Sequence, residues 1–375
     1  MISFPQTAAS EDEQVFPAAM RAVAFSDIDG WATDDHSAAF VAFVQTCKRA
    51  VQVRPKSRLN GVDGEDLVRV CQAALDSPET APRLFFERFF QPMRVLGEGL
   101  LTGYFEPEVE ASAVQTQRFR YPLYRRPAFL HELPESASAL GIDDDVTWGR
   151  RTPDGFEAFP ERRDIMNGAL EGQGLELVWL EDPIDVFFIH IQGSARLAMT
   201  DGMVRRLNFA AKSGHPYTPI GRTLVEMGEL ALADVTMGTI RDWLSAATPA
   251  ARDAVLASNR SYIFFKVRNE DAPDTGPVAA AGVPLTAGRS LAVDRFLHTF
   301  GTPIFVQSDN ALPEGGASFQ RLMIAQDTGS AIVGPSRGDI FIGSGSEAGD
   351  IAGRVNMPVA FTVLVPRLGL LHRSD

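Results

Sequence analysis

Near the start of the chain, apolar residues recur at helical spacing in three stretches. Phe40, Val41, Phe43, Val44, Cys47 and Val51 trace one face of a first helix. A second follows Asp63, with Asp66 three residues on at capping-box spacing and Leu67, Val68, Cys71, Ala74 and Leu75 inside. A third covers about 80–90 and carries Leu84, Phe85, Phe86, Phe89 and Phe90, an aromatic cluster read as core. Three amphipathic helices can bury one another, which predicts a helical N-terminal section after a loose arm over residues 1–35.

From Leu100 the pattern alternates and is rich in strand formers, with Gly103 in the middle of the run; glycine inside a strand marks a bulge or the close approach of a ligand. Turn residues dominate 111–175, with a short helix over 160–170. Strands are predicted over 175–180, 186–191 and 202–211. Helical spacing returns at 222–232, at 236–244 with Thr236 as N-cap, and at 249–256. Strands then follow at 262–267, 283–293, 302–306, 322–325, 340–342 and 359–365. Strands without regular intervening helices argue against a parallel doubly wound sheet. They predict a mainly β, α+β protein: a barrel or sandwich with appended helices.

Composition narrows the function. The 375 residues carry a net charge of −13 and no Lys/Arg run long enough to make a nucleic-acid face. With two cysteines and six histidines, a Cys-rich zinc site is excluded and a His-based one is not expected. Cys47 and Cys71 fall in separate helical patterns; two buried free thiols is the preferred reading, a helix-to-helix disulfide the alternative. No apolar run reaches the length of a membrane span. The opening residues show no n-region, h-region or lipidated cysteine, so the protein is either cytosolic or exported by a signal outside the given residues.

Candidate chemistry gathers near the C-terminus. Two short apolar runs end beside Asp327 and Asp339, among Gly329, Gly334, Gly338, Gly343, Gly345 and Gly349. Two carboxylates beside so much bare backbone suggest the floor of an active site. Asp327-Thr328-Gly329-Ser330 matches the D-T-G-S of aspartic peptidases, which need two such aspartates. The second, Asp274-Thr275-Gly276, lacks the preceding apolar run and stands too close in sequence, so it reads as a solvated turn. His190, among apolar neighbours, reads as a satisfied core histidine, and His215 as a structural turn residue. Gln192 and Ser194, flanking Gly193, offer an amide and a hydroxyl suited to sugar hydroxyls or to capping a turn.

Six stretches taken together resemble the membrane-bound lytic murein transglycosylase A family: LTGYFEP (101–107), HIQGSARL (190–197), GHPYTPIGRTL (214–224), NRSYIFF (259–265), GVPLTAGRSLAVD (282–294) and AQDTGSAIVGPSRGDIFIGSG (325–345). The last two look like the family's three-aspartate domain, with Asp294, Asp327 and Asp339 in the aspartate positions. The resemblance implies a double-psi β-barrel with a second, smaller β-domain inserted: residues 1–107 hold the N-terminal helices and the start of the barrel domain, 108–258 the insertion, and 259–375 the rest of the barrel.

It also implies non-hydrolytic cleavage of the β-1,4 bond between N-acetylmuramic acid and N-acetylglucosamine in peptidoglycan glycan strands, leaving 1,6-anhydromuramoyl ends. Here the attacking group is the substrate's own C6 hydroxyl. One carboxyl can therefore protonate the leaving oxygen and later take the hydroxyl proton, provided its pKa is raised. Asp339 matches the catalytic position. Asp327 is assigned to orienting it and holding up its pKa, or to capping the turn at 328–330; Asp294 is structural. Thr102, Tyr104, Gln192 and Ser194 line the glycan groove, with Tyr104 offering a flat face to a sugar ring. Arg337 reads as a solvated loop arginine, with contact to a muramoyl carboxylate the alternative. The resemblance further implies a reaction that needs no metal or cofactor and a periplasmic location, with any hold on the outer membrane through a lipid anchor outside the given residues; a monomer is expected.

Overall fold

The computed structural model describes residues 20–59, 62–76, 81–134, 142–143, 146–268, 276–313, 315–316 and 318–367. In chain order the elements begin with β1 (Met20–Ala22), α1 (His36–Ala50), α2 (Gly64–Asp76), α3 (Pro82–Phe89), β2 (Phe90–Val95) and β3 (Gly99–Glu106). Then come β4 (Glu108–Ala111), β5 (Tyr121–Tyr124), β6 (Leu130–Glu132), β7 (Trp148–Thr152), β8 (Gly155–Ala158), α4 (Arg162–Met166), β9 (Glu176–Leu180) and α5 (Pro183–Gln192). After these lie β10 (Ser194–Met199), β11 (Val204–Lys212), α6 (Ile220–Glu226), α7 (Met237–Ala246), α8 (Pro249–Ser258) and β12 (Ile263–Arg268). The chain closes with β13 (Ser290–Val293), β14 (Pro303–Ser308), β15 (Phe319–Asp327), β16 (Arg337–Ser344), α9 (Ser346–Ala352) and β17 (Asn356–Pro366). The fold is mainly sheet with appended helices, the α+β class expected.

The three N-terminal helices start where the sequence places them. The Asp35 carboxylate accepts from the Ser37 and Ala38 amides, and Asp63 accepts from Glu65 and Asp66, so each caps its helix. Their apolar faces pack Phe40, Phe43, Phe85 and Phe86 against Phe305, Leu322, Ile324 and Leu364 of the large sheet. Val41, Val51 and Leu84 were expected on these inner faces but are exposed. Cys47 and Cys71 form a disulfide between α1 and α2, overturning the free-thiol reading. Both sit fully buried on faces that pack together, with Cα atoms 4.7 Å apart, inside disulfide range.

Within the expected loose arm, residues 20–35 are also packed. Phe25, Ile28 and Trp31 recur every third residue through two 3-10 turns, a period outside the helical search. Trp31 is 1% exposed and donates to Glu87 at 2.9 Å. Asp34 accepts two hydrogen bonds from the Arg289 guanidinium, at 2.9 and 3.0 Å, and a third from the Leu322 amide.

The eight-stranded sheet has the order β1-β2-β17-β14-β15-β13-β16-β3, and β3 also pairs with β17. Six strands, β17-β14-β15-β13-β16-β3, thus form a closed ring among the described residues. Leu101, Leu291, Ile304, Met323, Ile340, Phe361 and Val363 belong to its apolar core. A separate sheet orders β12-β11-β10-β4, with β5–β9 and β6-β7-β8 beside it. The chain leaves the ring at Pro107, between β3 and β4. There the buried Glu106 carboxylate meets the Arg206 guanidinium at 2.7 Å and accepts from Ser344 at 2.7 Å, tying the two sheets together.

Three sequence expectations change. Residues 186–191 form helix α5, not a strand: Asp182 caps it, Pro183 occupies its first turn and Gly193 ends it at φ 75°. A short unbroken apolar run fits either element, and the end signals decide. The 283–293 strand shrinks to β13, because Thr286 opens a turn whose carbonyl accepts from Arg289 and Ser290. Gly103 admits helix α9: a Cβ there would lie 2.9 Å from the Ala352 backbone, so the close approach is by protein, not ligand.

Candidate active site

Strand register brings the two aspartates together. On β13, Ala292 pairs with Asp339 of β16 on one side and Asp327 of β15 on the other. Asp339 pairs in turn with Thr102 of β3. The row Asp327–Ala292–Asp339–Thr102 crosses four strands, which puts the two aspartate backbones about 10 Å apart. Small residues permit this packing: a Cβ on Gly338 would lie 2.8 Å from the Phe361 ring and 2.9 Å from Leu291.

The side chains then form a hydrogen-bonded network around each aspartate. The Thr102 hydroxyl donates to Asp339 Oδ1 at 2.7 Å and accepts from Arg337 Nη2 at 2.8 Å. The Tyr104 hydroxyl donates to Asp327 Oδ2 at 3.0 Å, and the Ala280 amide donates to Asp327 Oδ1 at 3.0 Å. The Thr328 amide also donates to Asp327.

Both aspartates keep some accessible surface, yet protein surrounds their carboxyls closely, as at a recessed floor. That burial pushes Asp339 up to about 6; the Thr102 hydrogen bond and the Arg337 charge oppose the rise, and the Asp327 charge adds to it. Burial raises Asp327 as well, against its three hydrogen-bond donors. Tyr104 is held well above a free phenol by burial and by both carboxylates.

Four expected site residues therefore meet: Thr102, Tyr104, Asp327 and Asp339. Tyr104 does so by its hydroxyl. Its ring is 8% exposed and packs on Phe341 at 5.4 Å, so the expected flat face toward a sugar is covered. The Gln192 amide oxygen accepts from the Phe105 N–H at 3.1 Å, placing the end of α5 beside β3. Ser194 opens β10, buried, and does not join this network. Asp294 caps Phe296 and accepts from the Gly334 amide at 2.9 Å, a structural role as expected.

Arg337 is not a solvated loop residue. It begins β16, half-buried, where burial lowers its pKa and Asp339 opposes that. The sequence signal was its place two residues before Asp339, on the same face of a strand. Tyr217, from the GHPYTPIG stretch, stands near enough for Asp339 to raise its phenol, after the larger effect of burial; sequence reasoning gave it no role.

His190 is buried as expected, with Arg162 donating to Nδ1 at 3.0 Å. His215 bridges the Phe159 carbonyl and Arg260. Of the second D-T-G, Asp274 and Thr275 lie outside the described residues. Among the described residues no cluster of three or more His, Cys, Asp or Glu could hold a metal, and no helix is long and apolar enough to cross a membrane. Two surface hollows, one with Arg54, Ser57, Asp63 and Glu65 in its lining and the other with Phe25, Trp31, Arg83 and Glu87, lie on the N-terminal section and include neither aspartate.

The chain is similar to known proteins. The model of the MltA specific insert domain matches residues 100–266, and that of the 3D domain matches 289–365. Membrane-bound lytic murein transglycosylase A of Vibrio cholerae is 33% identical over 261 residues, 68% of this chain and 62% of that protein. The Escherichia coli protein of the same name is 32% identical over 264 residues, 69% of this chain and 64% of its own. The match thus spans under two thirds of the length of these curated relatives.

The crystal structure of a membrane-bound lytic murein transglycosylase from Agrobacterium tumefaciens is 42% identical, with a TM-score of 0.87, covering 94% of this chain and 98% of that one. E. coli MltA with bound chitohexaose is 26% identical, with a TM-score of 0.65, covering 87% of this chain and 89% of that one. On the sequence matches, the fold and the paired domains, this chain belongs to the membrane-bound lytic murein transglycosylase A family.

Proposed function

We propose that the protein is a lytic transglycosylase acting on the glycan strands of peptidoglycan. It cleaves the β-1,4 bond between N-acetylmuramic acid and N-acetylglucosamine and forms 1,6-anhydromuramoyl ends. The carrying observation is Asp339: a recessed carboxyl raised to about 6, beside a second carboxylate. Such a group is protonated often enough near neutral pH to give its proton to the glycosidic oxygen. Departure of that oxygen leaves positive charge at the muramoyl C1. The Asp339 carboxylate, now a base, takes the proton of the C6 hydroxyl as that oxygen bonds to C1. Substrate entering the site excludes water and raises the acid further.

Asp327 supports this reading over a two-carboxylate hydrolase. Its oxygens already accept from Tyr104, Ala280 and Thr328. A carboxylate so occupied suits the role of a fixed negative charge better than that of a water-activating base. Thr102 aligns the acid, and Arg337 fixes Thr102. Gln192, Ser194 and Tyr217 are proposed to line the far wall of a groove between the ring and the second sheet. The E. coli relative crystallised with chitohexaose supports a β-1,4-linked sugar chain as the ligand class.

Within the same proposal, the six-stranded ring is a double-psi β-barrel. The unit inserted into it covers the expected 108–258 together with β12, which pairs with β11. Action at the cell wall implies a location outside the cytoplasm, consistent with the names of the relatives. The test is digestion of purified murein sacculi with mass analysis of the soluble fragments. Fragments ending in anhydromuramic acid support the proposal. Fragments heavier by one water make the protein a hydrolase, and binding without release makes it a glycan-docking module.

A further inference from the structure

Gln326, one residue before Asp327, carries a side-chain amide with no part in the steps above. It is fully buried, and each polar atom is satisfied. Its Oε1 accepts from the Ser290 hydroxyl on β13. Its Nε2 donates to the Ala42 carbonyl at 3.0 Å and to the Thr46 hydroxyl at 2.7 Å, both on α1. Ser290 also accepts from the Thr286 amide at 2.7 Å, and Thr46 also donates to the Ala42 carbonyl at 3.2 Å. An amide at such a place is costly unless fully bonded, and a satisfied buried network fixes geometry where an apolar side chain would only fill space.

The backbone of the same residue leads to the site. The Gln326 carbonyl accepts from the Ala281 amide at 2.9 Å, and the Gly282 amide donates to Ala279 at 2.9 Å, closing a turn. Gly282 has φ +77°, and a Cβ there would lie 3.2 Å from Arg49 Nε of α1. Between them, the Ala280 amide donates to Asp327. Ala279 packs with Tyr104 and Phe341, so the turn also backs the tyrosine that donates to Asp327. Helix α1 is itself fixed at the residue after Thr46 by the Cys47–Cys71 bond.

We infer that Gln326, clamped by Thr46 of the N-terminal helix, is a positioning residue for the aspartate pair, holding the end of β15 and the 279–282 turn so that Asp327 faces Asp339. The inference rests on the proposed role of Asp339, but its structural part is testable alone. The groups facing Asp339 are Arg337 on its own strand, Thr102 and Tyr104 on β3, Asp327 on β15 and Tyr217 from the second sheet's loop. Of the nearby charges, Asp327 is the one that raises Asp339. Releasing the clamp lets Asp327 drift, so Asp339 ionises at lower pH.

The test is a carbon-detected NMR titration of the Asp339 carboxyl in wild type, Thr46→Val, Thr46→Ser and Gln326→Leu. Thr46→Val keeps the side-chain shape and is remote from the site. The expected result is a midpoint lowered by about 0.5 pH unit in Thr46→Val and by more in Gln326→Leu, with wild-type behaviour restored in Thr46→Ser. Should Gln326→Leu not fold, the two Thr46 variants decide. A folded Thr46→Val protein with an unchanged midpoint overturns the inference. A lowered midpoint in a protein whose wild type is inert on murein overturns the proposed function and leaves the clamp standing.

Discussion

Asp339→Asn replaces a carboxylate that burial disfavours with a neutral side chain of the same shape. The folded pKa, about 6, lies above the ordinary 3.8. The group's favourable contribution to folding is therefore complete below about pH 4 and is lost as pH rises through about 6. Each pH unit of displacement corresponds to about 1.36 kcal/mol, so the loss approaches about 3 kcal/mol at pH 8, and about half that if water at the recessed floor relieves half the burial. The variant titrates nothing here and escapes the loss. Arg337, deprived of its anion, adds an offset that stays constant while arginine remains charged.

The readout is thus a slope. In urea denaturation at intervals from pH 4 to 8, the stability of Asp339→Asn relative to wild type should grow by about 1–2.4 kcal/mol, most of it between about pH 4 and 6. Turnover should fall about 10²–10⁴-fold while binding to murein sacculi persists. Parallel stability curves across the range, or retained turnover, would refute the reasoning.

Thr102→Val removes the hydrogen bond that favours the ionised form of Asp339, so the alkaline limb of the pH–rate profile should move to higher pH, checked by initial rates from pH 4 to 8. Reducing the Cys47–Cys71 bond, which spans 24 residues, should lower stability by about 3.5 kcal/mol, read from urea midpoints with and without reductant. Arg206→Met leaves Glu106 buried without its cation and should cost about 3–5 kcal/mol; Glu106→Gln paired with Arg206→Met should recover part of it in the same assay.

The hydrophobic pattern carried most of the ring, because its strands alternate or run apolar between glycine-rich turns, as around Asp327 and Asp339. It also placed the helices led by Asp63, Thr236 and Pro249, which have capping residues and sufficient length. It was silent on α9, a seven-residue helix that begins after Gly345 and packs through Gly349 onto Phe105. It misread α5, where four consecutive apolar residues, 186–189, hide the period and only Asp182, Pro183 and Gly193 mark the ends.

The aspartates were legible as residues because the six stretches and the neighbouring glycines flag them. Their partners were less so. Arg337 and Tyr217 join Asp339 through strand register and a loop from another sheet, relations no local window contains. The Thr46–Gln326 contact links residues on different elements, and nothing in either neighbourhood announces it.

The central claim is that the substrate's own hydroxyl, not water, closes the reaction that Asp339 opens. Digestion of murein sacculi in heavy-oxygen water tests it directly. The account predicts soluble fragments whose new muramoyl ends are anhydro and carry no heavy oxygen; heavy oxygen fixed at the muramoyl C1 as each bond is cut would contradict it.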